Sequence, residues 1–142
     1  MERKSWINIF WKVVTGLLVG IALAGLAFAA FFWFRVKSDA HFALRNAKNV
    51  RFAIETVGIE YYGDERDVFS ANSPDGMARG VQEKVERLAG TQGNILLQEY
   101  DAPGNRVLKM QYTEGRYVVN FGLDENGDER WKIAYLLDLD LL

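Results

Sequence analysis

Val13 to Phe34 is a run of 22 consecutive residues without a charged side chain. As a helix rising ~1.5 Å per residue, a run of that length covers about 33 Å, enough for a hydrocarbon core of roughly 30 Å. Trp6, Phe10 and Trp11 stand at its entry and Phe31, Phe32, Trp33 and Phe34 at its exit. Aromatic rings favour the headgroup level, where one part of the ring is dry and the other wet. Lys12 has a stem long enough to snorkel back to the first interface. A cleaved signal peptide is the competing reading. It fits poorly, because the run is too long and large aromatics occupy the place of a small-residue cleavage site. The expectation is an uncleaved transmembrane helix over 13–34, preceded by a short tail over 1–12.

The charges divide the chain at the end of this run. Residues 1–37 hold five Lys+Arg against Glu2 alone, a net of +4. Residues 38–142 hold 12 Lys+Arg and 18 Asp+Glu, a net of −6. The two parts suit different solvents. With 49% apolar residues the chain is not of the disordered class. It has no Cys, which excludes a disulfide scaffold and thiolate chemistry. A total of −2 gives no basic field for nucleic acid.

Within the span, Gly16, Gly20 and Ala24 are four apart, and Gly25 and Ala29 repeat that spacing. Small residues let helix backbones approach closely in lipid, so this stripe is a candidate face for other transmembrane helices or for self-association. The plain alternative is that Gly and Ala are common in membrane spans. Orientation signals conflict. Arg35, Lys37, Arg45 and Lys48 after the span outnumber Arg3, Lys4 and Lys12 before it, which favours a cytoplasmic C-terminal part. The short tail ahead of the span fits a signal-anchor with its N-terminus inside.

No proline precedes Pro74, so the helix is free to continue through 38–62. Ala43, Ala47, Val50, Ile54, Val57 and Tyr61 are spaced 4, 3, 4, 3 and 4, an apolar stripe facing one surface. Ala47, Val50, Ile54 and Val57 are the expected helix–sheet packing residues. The same spacing also suits a short coiled-coil seam. Arg51 and Glu55 make an expected i,i+4 pair. Gly63 is the expected left-handed cap.

A loop over 63–76 and a second helix over 77–89 follow, the latter with Met77, Val81, Val85 and Leu88 on one face and Gly90 as its stop. The period then changes to two, and four strands are expected within 94–137. Leu96, Gln98 and Tyr100 share one face of the first. Leu108, Met110 and Tyr112 align in the second, Tyr117, Val119 and Phe121 in the third, and Trp131, Ile133, Tyr135 and Leu137 in the fourth. Asn126-Gly127 predicts a tight hairpin, since both residues tolerate positive φ. The fold class is α+β: a long N-terminal helix, transmembrane in its lower half, packed on a four-stranded antiparallel meander, with one short helix. The head domain covers 38–142.

This order of elements resembles the type IV pilins and pseudopilins, which share a hydrophobic half-helix, an amphipathic half-helix, a loop and a four-stranded antiparallel sheet. The resemblance extends over essentially the whole chain at the level of element order. It implies a non-enzymatic structural or accessory subunit of a cell-envelope assembly, with its head outside the cytoplasm. The family's processing junction has no counterpart in Met1–Lys12, so no processing residue is carried over.

Residues for chemistry are few. His41 is the single His and sits beside the interface, where a surface role is the default. Ser70 and Ser73 lack a base nearby in sequence. No His/Cys cluster offers a zinc site, and the acidic Asp124–Glu129 segment has its Gly out of place for a calcium loop. Asp64, Glu65 and Asp67, and the Glu99/Asp101 pair, read as solvated. The tail Leu136–Leu142 alternates apolar and acidic residues and suits either a strand extension or a frayed end. No catalytic residue, cofactor, metal or small-molecule substrate is expected. The expected partners are the lipid bilayer and other transmembrane helices. The other reading open to the sequence is a membrane-tethered binding or sensing module that pairs through its span.

Overall fold

A computed structural model describes residues 2–136, with side chains from Ser5 onward. It contains helix α1 (Glu2–Gly63), helix α2 (Val81–Ala89) and strands β1 (Asn94–Asp101), β2 (Arg106–Glu114), β3 (Tyr117–Leu123) and β4 (Glu129–Tyr135). The class is α+β, with one antiparallel sheet in the order β1-β2-β3-β4. The chain divides into two units, Met1–Asp39 and Ala40–Leu142.

In the first unit the side chains from Ser5 to Phe34 are exposed except Val14, so the apolar residues have no protein partner. α1 is long and apolar enough to cross a membrane. Its one mid-span hydroxyl is satisfied locally, as Thr15 Oγ1 donates to the Trp11 carbonyl at 2.8 Å. Lys37 Nζ stands 5.2 Å from the Trp33 ring centre, a cation–π contact.

In the second unit the α1 residues from Ala43 to Tyr61 lie on the sheet. Ala47, Val50, Ile54 and Val57 are each 0% exposed, and Ala43 and Tyr61 nearly so. They share one core with Val68, Met77, Val81, Val85, Ile95, Leu97, Val107, Met110, Tyr112, Val119 and Phe121. Each large residue fully buried here contributes about 1.5–3 kcal/mol of transfer free energy.

The strand phases differ from the simple alternation expected. Leu97 pairs with Met110 and Tyr100 with Val107, and between them Gln98 on β1 and Leu108 on β2 have no partner in the register. These are two β-bulges, one on each strand, and each turns its strand by one residue at the same level. Ile95 and Leu97 therefore point into the core, then Tyr100. On β2 Tyr112 and Met110 do, then Val107. The expected face of Leu96, Gln98 and Tyr100 is corrected to Ile95, Leu97 and Tyr100, and Leu108 gives way to Val107. The period-two reading failed because a bulge leaves no mark in residue type. On β3 and β4 alternation holds, with aromatic cross-strand pairs Phe121–Trp131 (4.6 Å) and Tyr117–Tyr135 (5.2 Å) on the core side. Ile133 is nonetheless 41% exposed, because β4 is the sheet edge. Leu137 and the rest of the expected tail lie outside the described residues.

The second helix begins later than expected, at Val81, after Gly80 at φ 84°. Met77 is buried, but in a bridge with Phe69, not in a helix. Leu88 is 56% exposed, because the shorter helix presents only Val81 and Val85 to the core. The 124–128 turn closes a hairpin as expected, yet only Gly127 is left-handed there.

α1 ends where expected, by a different device. Gly63 is not left-handed; Glu65 is, at φ 55°. The Glu65 amide donates to the Tyr62 carbonyl at 3.2 Å and the Arg66 amide to the Tyr61 carbonyl at 2.9 Å. That pair of bonds is a Schellman motif with Glu65 in the position glycine usually takes, and the Arg66 guanidinium covers the Tyr61 ring at 4.5 Å. A side chain in that conformation costs about 1 kcal/mol. Glu65→Gly is expected to raise stability by about 1 kcal/mol, seen as a higher midpoint in denaturant melts of the detergent-solubilised chain. An unchanged or lower midpoint would refute the strain at this position.

Candidate functional site

The sequence places functional weight on the span and on the face of α1 that meets the sheet. Gly16, Gly20 and Ala24 are all exposed, and no atom lies within 4 Å of where a side chain would begin at Gly16 or Gly20. The stripe is open along its length. Ala47, Val50, Ile54 and Val57 are instead fully enclosed by sheet side chains.

Three polar clusters fasten that enclosed segment to the sheet, and none was foreseen. At the first, the Asn46 amide donates to both Glu114 carboxylate oxygens, at 3.1 and 2.8 Å. Tyr112 donates to the same carboxylate at 3.1 Å and also bonds the buried Thr91 hydroxyl. Burial pushes the Tyr112 hydroxyl above its ordinary pKa, although its bond to Thr91 works against this.

At the second, Asn105, left-handed at φ 49° in the β1–β2 turn, donates to the Glu55 carbonyl at 2.9 Å. The Val107 amide donates to Glu55 Oε1 at 3.2 Å, and Tyr100 donates to Asn105 Oδ1. Gly58 makes room for this cluster, since a Cβ there would lie 2.0 Å from Asn105 Oδ1 and 2.1 Å from the Tyr100 oxygen. The glycine in mid-helix is thus a close-approach position.

At the third, Arg51 pairs with Glu129 on β4, and the Trp131 indole donates to Glu129 at 3.3 Å. The Arg51 bond holds the Glu129 carboxyl below its usual range. Lys48 stands over the Trp131 ring and Arg51 over Phe121. The expected Arg51–Glu55 pair is corrected: both side chains turn to the sheet instead.

Burial, followed by the nearby Glu55, Asp67 and Asp101 charges, raises the Tyr100 hydroxyl from 10.0 to about 12. The phenol is therefore neutral in the folded chain after it has ionised in the unfolded one. Its contribution is complete below pH ~10 and is lost as pH climbs toward 12. Denaturant melts between pH 9 and 12 should show falling stability, with a shallower fall in Tyr100→Phe. An identical slope in the two proteins would contradict this.

The remaining candidates are engaged structurally. Asp124 accepts the Asn126 and Asp128 amides at 3.0 and 2.9 Å and Arg130 at 2.9 Å, so its carboxylate staples the turn, and the Asp128 amide above all keeps its pKa low. Ser73 donates to Asp75, and His41 is exposed on α1. Glu99 is exposed and lies opposite Lys109 across the strands. Among the described residues no three His, Asp or Glu side chains gather as a metal site. Comparison with protein-family models, with curated proteins and with solved structures gives no match.

Proposed function

We propose that this chain is a non-enzymatic, single-pass membrane protein with a pilin-like head, acting as a structural or accessory subunit of a cell-envelope assembly with its head outside the cytoplasm. The observation that carries this reading is α1 itself: one helix supplies both the apolar run and the segment on which the sheet is built. The polar side chains that enzymes use for acid–base work are spent here on fastening that helix. Protease added to intact cells should cut the head; cutting only after the membrane is opened would place the head inside and overturn its location.

The open Gly16–Gly20–Ala24 stripe favours a second reading, a tethered module that pairs through its span. In that case Gly20→Ile should abolish co-purification of the membrane partner while leaving the head folded. Undiminished recovery of the partner would eliminate the stripe as its contact.

A further inference from the structure

We propose that the outer face of α1 just after the span binds anionic phospholipid headgroups through Arg45 and Lys48. This rests on the membrane-spanning reading above. His41, Arg45 and Lys48 are spaced 4 and 3, and each is offset by two residues from a core residue: Ala43, Ala47 and Val50. Two residues correspond to about 200° of helix, so these side chains occupy the face turned away from the sheet. All three are exposed.

The charge on this face is uncompensated. From Val13 to Ile54 the only acidic residue is Asp39, which helical spacing places with Ala43, not with Arg45. Neither Arg45 nor Lys48 makes an ion pair among the described residues. Arg45 instead lies 5.3 Å from the Phe42 ring centre, and Phe42 is itself exposed. A cation beside an exposed aromatic ring suits the headgroup zone, where a ring enters the boundary and the cation meets phosphate.

Position in the chain selects lipid as the occupant. Arg45 and Lys48 follow Phe34 by 11 and 14 residues. That is within the ~15–20 residues beside a span where basic side chains respond to the membrane surface. Helical side chains also lean toward the N-terminus, which here is the direction of the apolar run. Head-to-head pairing of parallel copies would set these cations against their like, so self-association through this face is disfavoured.

The test uses the full chain in nanodiscs of mixed phosphatidylcholine and phosphatidylglycerol, with spin-labelled forms of each lipid as probes. The wild-type chain should retain phosphatidylglycerol over phosphatidylcholine, and R45Q/K48Q should lose about fivefold or more of that preference. The exchange R45K/K48R should keep it, because charge and not side-chain shape is at issue, and high salt should weaken it. An equal preference in the wild-type and R45Q/K48Q chains would overturn the proposal. R45Q alone leaves the Lys48–Trp131 contact intact and must still lower the preference. A chain that does not enter the nanodisc would instead refute the spanning reading.

Discussion

Gly76→Ala is expected to cost about 4 kcal/mol. Gly76 sits at φ 72°, and a Cβ there would lie 1.7 Å from the Leu97 carbonyl oxygen. Two costs combine. An L side chain in the left-handed region loses about 1–2 kcal/mol. The contact is with backbone, so relief requires β1 to retreat, and the bond from the Leu97 amide to the Asp75 carbonyl at 2.9 Å is lost with it. An unsatisfied buried backbone group costs about 1–3 kcal/mol. Gly90→Ala is the natural comparison, since Gly90 has φ 67° with nothing within 4 Å. It should lose the conformational part alone. Thermal melts followed by near-UV circular dichroism would separate the two by roughly 10 °C or more. Equal losses would mean that the close approach at Leu97 is of no consequence.

Ile54→Ala is expected to cost about 2–5 kcal/mol, the range for truncating a branched aliphatic side chain in a tight core. Ile54 is 0% exposed and lies midway along the buried stripe of α1. Phe52, two residues earlier, is 71% exposed and larger. Phe52→Ala should change stability by no more than about 0.5 kcal/mol. Denaturant unfolding of the solubilised chain measures both. If Phe52→Ala proved the costlier change, the helix would be packed on the wrong face in this description.

The features legible in sequence were those with a repeating pattern. The uncharged run from Val13 to Phe34 and the Ala43–Tyr61 stripe each recur over many residues, so local irregularity does not disguise them. The α+β class followed from the change of period near Asn94. Features that depend on a single residue were not legible. Gln98 and Leu108 shift the faces of β1 and β2 without any unusual residue type. Glu65 takes the left-handed position two residues beyond the glycine that invited it. The fastening clusters join residues 50 to 78 apart in the chain, such as Glu55 with Asn105 and Arg51 with Glu129, and no local motif announces them. Gly58 looked like a mere weakness in the helix until Tyr100 and Asn105 were seen against it.

The paired irregularities at Gln98 and Leu108 link the evolutionary freedom of two segments. Because each offsets the other, the hydrogen-bonded ladder is in the same alignment at Tyr100–Val107 as at Leu97–Met110. Loss of one such residue by deletion would send Tyr100 or Val107 to the solvent side, whereas loss of both would leave the strands in step. Insertions and deletions in this hairpin are therefore tolerable only as matched events on both arms.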